Sequence, residues 1–218
     1  MKQMHCTFER KIEKVVQLDY LLYLPQKDDV HKKWPLILFL HGMGERGNQI
    51  EDVKVHGIPK NIQEKKDYSF IIVSPQCPIG EMWSTVSDAL YYLLQDIKDH
   101  YPVDEDRVYL TGLSMGGYGT WDLAMHYPNE FAAIAPVCGG MFDAETVVKL
   151  KHMPIWAFHG VKDKVVPISE TQRLVDILEA CGGNIRFTAY PDLEHDCWTP
   201  TYNNPALYEW FLKHKRHH

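Results

Sequence analysis

The sequence predicts an α/β protein with a mostly parallel central sheet and helices on both faces. Two observations carry this. Short, continuous apolar runs recur along the chain, as in strands buried on both sides. Amphipathic patterns of 3.6-residue period lie between them, and such alternation builds a parallel sheet. At 218 residues the chain is close to one large domain, so residues 1–218 are read as a single unit.

Residues 8–24 carry Val15, Val16, Leu18, Tyr20, Leu22 and Leu24, predicting one or two antiparallel strands that end at Pro25. A polar turn follows from Gln26 to Lys33. The buried runs are Pro35–Leu40, Phe70–Val73, Val108–Thr111, Ala132–Val137, Ile155–Phe158 and Ile185–Tyr190. Helical periodicity links Ala89, Leu90, Leu93, Leu94 and Ile97, then Tyr118, Trp121, Leu123, Ala124 and Met125. It returns at Leu174, Val175, Ile177 and Leu178 and stops at Gly182-Gly183, a helix C-terminal signal. A last helix runs from about Pro205 to Lys213. Residues 213–218, with His214, His217 and His218, read as a tail that is in part tag-like.

Composition excludes several roles. Lys+Arg 23 against Asp+Glu 29 leaves −6, and no basic stripe forms, so no nucleic-acid partner is expected. No apolar stretch reaches the ~18 residues of a membrane span, so no membrane partner is expected either. The N-terminus lacks an apolar signal region. The expected location is cytoplasmic, or secreted with a signal peptide already removed. Cys6, Cys77, Cys138, Cys181 and Cys197 are odd in number and form no CxxC, so they read as buried or half-buried thiols. No histidine pair has ligand spacing with a third partner, so no metal site is expected.

Gly112-Leu-Ser114-Met-Gly116 is a G-x-S-x-G. Chance supplies one in about 7% of chains this long, so context decides. Here it follows the Val108–Thr111 run and opens the helix near Met115. A sharp strand-to-helix turn lifts the serine hydroxyl above the sheet edge, and a β-carbon at either glycine would crowd that turn. A serine nucleophile needs a base, and the base an orienting acid. In such sheets both come later, at the ends of later strands. Asp163 follows the Ile155–Phe158 run and His195 the run ending at Tyr190. Asp192, Glu194 and Asp196 are weaker acids for this role, because they adjoin the histidine in sequence.

Gly42-Met-Gly-Glu-Arg-Gly47 spells G-x-G-x-x-G. A dinucleotide site also needs a helix on the third glycine and an acid closing the next strand. That strand ends Val73-Ser74-Pro75, and the intervening segment is polar and broken by Gly57-Ile58-Pro59. The better reading is a loop supplying a backbone donor to an oxyanion, with Gly42 and Gly44 letting it fold towards the serine. Met43 and Met115 are the assigned N–H donors, with Gly44 as the fallback for Met43. Glu45 and Arg46 are expected to form a salt bridge holding the loop.

Together, Leu40-His-Gly-Met-Gly-Glu-Arg-Gly47, Ser74-Pro-Gln-Cys-Pro78 with Trp83, Arg107 to Trp121, and His195-Asp-Cys-Trp198 resemble the α/β-hydrolase superfamily. Within it they are similar to compact esterases of the phospholipase/carboxylesterase, polyhydroxybutyrate-depolymerase-like and feruloyl-esterase-like group, with relatives labelled predicted peptidases. The resemblance spans about residues 10–213. It implies a serine hydrolase without cofactor that acts on small-molecule or plant-polymer-derived carboxylic esters. Gln76, Trp83 and Trp198 are candidates for the substrate pocket, Tyr202 for its wall, and Trp121 for the core. Many lipases insert a lid after the strand that follows the nucleophile helix. Here Cys138–Pro154 is too short for one, with a short helix at Ala144–Leu150, so no cap domain and an open cleft walled by Met43, Trp83, Met141 and Trp198 are expected. Two rival readings are a prolyl-oligopeptidase-like peptidase and a non-catalytic hydrolase-fold binding protein. The first lacks a propeller in this sequence; the second would usually lack a triad member.

Overall fold

The computed structural model describes residues 3–11, 13–25, 32–64 and 66–216. Seven strands make one sheet: β1 (Tyr20–Tyr23), β2 (Trp34–Leu40), β3 (Ile71–Pro75), β4 (Val103–Leu113), β5 (Ala133–Val137), β6 (Ile155–Gly160) and β7 (Ile185–Tyr190). Their order is β1-β3-β2-β4-β5-β6-β7. Only β1 is antiparallel, pairing Tyr20 with Pro75 and Tyr23 with Ile72; the other neighbours are parallel.

The apolar runs of β2 to β6 form strands because both sheet faces are covered; the sixth run, expected to be buried alike, is the edge strand β7 and has no fully buried residue. All seven residues of β2 are buried. Leu36, Leu38 and Leu40 enter one core with Leu90 and Leu94 of α2 (Ser87–His100), Trp121 of α3 (Met115–His126) and Leu174 of α4 (Ser169–Ala180). Ile37 and Phe39 enter the other, with Ile58, Tyr202 and Phe211 from three further helices. Each β2 side chain that leaves water contributes about 1.5–3 kcal/mol, so a one-residue register slip would exchange the two cores.

The chain leaves β2 towards β3 on one side and β4 towards β5 on the other. Ligands bind in the crevice at the carboxyl ends where such a reversal falls. The loops after β2 and β4 therefore meet where the sequence places its reactive groups. The Cys138–Pro154 connection holds only a short 3₁₀ helix, Ala144–Leu150.

Several expectations need correction. Among the described residues before Pro25 there is one strand, Tyr20–Tyr23; Val15 is exposed. The Gln26–Lys33 turn lies largely outside the described residues. The supposed break at Gly57-Ile58-Pro59 is the first turn of a helix, Gly57–Gln63. This is α1 in chain order, and its Pro59 stands where no intrahelical N–H is required. Gly57 has φ +66, and a β-carbon there would lie 2.4 Å from the Phe39 ring. A second short helix, α5 (Trp198–Asn203), tolerates Pro200 for the same reason and precedes α6 (Pro205–Leu212). Cys6 and Cys181 are exposed rather than buried. The tail is not free as far as Arg216: Tyr109 donates to His214 O, and the Arg216 N–H donates to Asp106 O. His217 and His218 lie outside the described residues.

Candidate active site

Ser114 joins β4 to α3 with φ 54 and ψ −116. A non-glycine residue in such a region carries about 1–3 kcal/mol of strain. The turn is held from both sides: Ser114 N–H donates to Val137 O at 2.9 Å, and Tyr118 N–H to Ser114 O at 3.1 Å. Its glycines are obligatory. A β-carbon at Gly116 would fall 2.0 Å from Leu40 O, and one at Gly112 2.4 Å from Gly116 O. The serine thus stands at the N-terminus of α3, where the helix dipole favours negative charge.

His195 Nε2 lies 2.9 Å from Ser114 Oγ, and its Nδ1 lies 2.6 Å from Asp163 Oδ2. Asp163 sits in the turn after β6, where its Oδ1 accepts from the N–H groups of Val165 and Val166 at 2.8 and 2.9 Å. Burial opposes its charge, but the His195 hydrogen bond and the two backbone donors hold the carboxyl below its usual pKa. The His195 loop leans on the same turn: Lys162 N–H donates to Leu193 O, and a β-carbon at Gly160 would meet Glu194 O at 2.1 Å. The neighbouring acids are otherwise engaged. Asp192 pairs with Lys162 at 2.8 Å, and Asp196 accepts from Thr199 N–H at the start of α5.

Cys138, Asp163 and His195 bring possible ligand atoms within 4.8 Å of one another, the one such group among the described residues. Burial and the Cys197 thiol push the Cys138 pKa well up, so the thiol stays protonated, and the 2.6 Å His195–Asp163 contact closes the space between them.

The loop after β2 is a 3₁₀ turn, Met43–Glu45. His41 beneath it is buried; its Nδ1 donates to Gly42 O at 2.6 Å and its Nε2 accepts from Cys77 N–H at 2.9 Å. Burial lowers its pKa to about 4, so it is neutral. Trp83 Nε1 donates to His41 O. Arg46 donates to Met43 O and Glu81 O. The expected Glu45–Arg46 salt bridge is not formed: Glu45 turns inward, 3.7 Å from both His41 Nδ1 and His56 Nε2. A β-carbon at Gly42 would lie 2.9 Å from the Leu113 side-chain end, which would have to shift, whereas Gly44 has open space. The Leu40 and His41 carbonyls both lie against Gly116, so the end of β2 that leads into the Met43 loop adjoins the first turn of α3.

A groove of about 470 Å³ runs along α3 from Met115 to His126, walled also by Met82, Trp83, Tyr118, Met141 and Phe142; Ser114 and His195 adjoin its Met115 end but do not line it. Trp83 is buried behind it. Met43, expected as a cleft wall, is half-exposed and does not line this groove. Gln76 does not line it either: it is buried and donates to Glu45 O and Gln49 O, bracing the loop rather than facing substrate. Trp198 packs edge-on against His195 at 5.2 Å and borders a separate cavity of about 230 Å³ with Lys60 and Asn61. Tyr202 is core, bonded to Thr111, as is Trp121. Sequence reasoning missed Tyr118 and Phe142. Tyr118 was visible as the residue one helical turn beyond Ser114.

Fold and site together define an α/β-hydrolase. The Phospholipase/Carboxylesterase family matches residues 79–203, and the chain belongs to it. It is 27% identical over 186 residues to a bifunctional acetylxylan esterase/xylanase from Neocallimastix patriciarum, covering 81% of this chain and 26% of that one. It is 23% identical over 183 residues to a probable feruloyl esterase C from Aspergillus oryzae, covering 81% and 66%. The crystal structure of a thermostable esterase superposes with TM-score 0.79 at 34% identity, covering 92% of this chain and 60% of that one. The chain thus spans from about a quarter to two thirds of the length of these proteins. Among the described residues, no helix is long and apolar enough to cross a membrane.

The Asp163 environment sets a pH dependence. Its folded pKa lies below its unfolded value of about 3.9, so the stabilisation is present above about pH 4 and is lost as pH falls through the folded value. Urea unfolding of wild type and Asp163→Asn should show a stability difference, wild type minus variant, that declines steadily below pH 4. A difference independent of pH from 7 to 2.5 would contradict it.

Proposed function

We propose that this chain is a serine carboxylesterase that cleaves short-acyl or aromatic carboxylic esters through an acyl-enzyme. One observation carries the reading: a strained Ser114 whose Oγ is 2.9 Å from His195 Nε2, with Asp163 2.6 Å from the other ring nitrogen. The carboxylate keeps the proton on Nδ1, leaving Nε2 free to accept. His195 takes the Ser114 proton as Oγ attacks the ester carbonyl, and Asp163 stabilises the imidazolium that results. The Met43 and Met115 N–H groups receive the oxyanion, each worth about 3 kcal/mol in the transition state. His195 then protonates the leaving alcohol, and a water activated by the same nitrogen releases the acid.

The groove beside Met115 supports the substrate class. Its volume of about 470 Å³ falls in the range of small-ligand sites, roughly 300–1,000 Å³. Thioethers and rings around it suit a flat aromatic or short alkyl group. The relatives named for acetylxylan and feruloyl esters support the same two acyl types, and a small-molecule or plant-polymer-derived ester is the substrate proposed.

Ser114→Ala should fold with a melting temperature near wild type and lose at least ~10³-fold in kcat on p-nitrophenyl acetate. Retention of a tenth of the activity would sink the assignment. With no lid among the described residues and a groove of about 470 Å³, each acyl CH₂ left in water forgoes about 0.8 kcal/mol. Across p-nitrophenyl esters from C2 to C16, kcat/KM should be high for acetyl to butyryl and low at C12 and beyond, with no rate jump at micelle formation. A maximum at C12 or longer, or such a jump, would contradict the open groove.

A further inference from the structure

Asp163 has a second imidazole against it. His159, next to last in β6, is fully buried. Its Nε2 lies 2.9 Å from Val166 O and 3.2 Å from Asp163 Oδ2. Its Nδ1 lies 2.7 Å from Thr171 Oγ1, which in turn lies 2.6 Å from Gly139 O.

Proton inventory places a proton on one nitrogen of this ring. The two oxygens facing Nε2 are a carbonyl and an ionised carboxylate, and both only accept. A bare Nε2 would set its lone pair against theirs, so Nε2 carries a proton. Burial lowers the affinity of the ring for a second proton. Nδ1 faces Thr171 Oγ1, whose one hydroxyl proton goes to Gly139 O. The N–H of His159 reaches both the carboxylate and the turn that carries it, because Val166 receives that N–H on its oxygen and gives its own N–H to Asp163 Oδ1.

We infer that His159 is a positioning residue for the hydrolytic site: its Nε2–H holds the Val166 turn and lies against Asp163 Oδ2, fixing the carboxylate against His195. The inference rests on the Ser114–His195–Asp163 reading. Three hydrogen bonds then hold the carboxylate, from Val165 N–H and Val166 N–H on one oxygen and His195 on the other, with His159 Nε2 3.2 Å from that second oxygen. The His159 donor also draws charge from Oδ2. Without it, Asp163 would favour the His195 cation more strongly, and a higher pH would be needed to free the base. The other titratable groups near this carboxylate are Tyr118 on α3, with Glu170 and Arg173 of α4 close to it, and Cys138 after β5. None of them changes in the variants below.

The test compares wild type, His159→Gln and His159→Leu on p-nitrophenyl acetate from pH 5 to 9, with melting temperatures. Glutamine can return an N–H near the Nε2 position; leucine cannot. His159→Leu should lose about 10- to 100-fold in kcat, as expected for a catalytic group displaced by a fraction of an ångström to 1 Å. KM should stay within about threefold, and the acid limb should move up by about half a pH unit or more. His159→Gln should recover kcat to within about fivefold of wild type, with the acid limb unmoved. Equal losses in the two variants, or a leucine variant with wild-type kcat and acid limb, would overturn the role. ¹⁵N-imidazole NMR of the wild type reads the tautomer without turnover and decides the matter if the leucine variant does not fold. A proton on His159 Nε2 supports the clamp, and a ring protonated on Nδ1 alone overturns it. Ser114→Ala assayed in parallel reports separately on the serine reading.

Discussion

The structure depends on the close crossing of α3 over the end of β2. Gly116 lies so near the Leu40 carbonyl that a single β-carbon would arrive at 2.0 Å. This approach turns the chain sharply after β4, forces Ser114 to φ 54 and brings the Met43 loop against the N-terminus of α3. The strain of about 1–3 kcal/mol is balanced locally. Two backbone hydrogen bonds, to Val137 O and from Tyr118 N–H, contribute about 1 kcal/mol each. The remainder comes from two cores that seat β2 and β4 so firmly that the turn cannot relax.

Around that crossing the polar side chains mostly serve the backbone. His41, Gln76, Trp83 and Arg46 all bind main-chain groups of the loops that flank Ser114. An unpaired buried carbonyl or amide costs about 1–3 kcal/mol, and loops at a strand edge expose many. Fixing them with neutral or carbonyl-directed donors leaves Asp163 as an ionised buried carboxyl held by several hydrogen bonds. Preset donors and a preset base are what a site needs to act on charge that appears only in the transition state.

Much of this was legible in the sequence because the inner strands β2 to β6, buried on both faces, have no alternation to hide. All six apolar runs became strands, and the order Ser114, Asp163, His195 followed from their ends. What escaped was of two kinds. A short element built on proline was read as a break: α1 uses Pro59 in its first turn, where spelling cannot separate it from a loop; α5, with Pro200, was not anticipated. Polar residues near the site were read as substrate contacts or ion pairs. Gln76 proved to be a buried brace, and Glu45 turned to histidines rather than to Arg46, because only coordinates reveal which carbonyls need partners. His159 left a trace that went unused: a histidine four residues before the acid, at the end of a buried strand.

The central claim is that Ser114 is a nucleophile made reactive by His195 and Asp163. Its most direct test is covalent capture. The protein is treated with a small alkyl fluorophosphonate, and intact mass and peptide mapping follow the label. The account predicts one phosphonyl group per chain, located on Ser114, with labelling slowed strongly in His195→Ala. An unlabelled protein, a label on another residue, or equal labelling without His195 would contradict it.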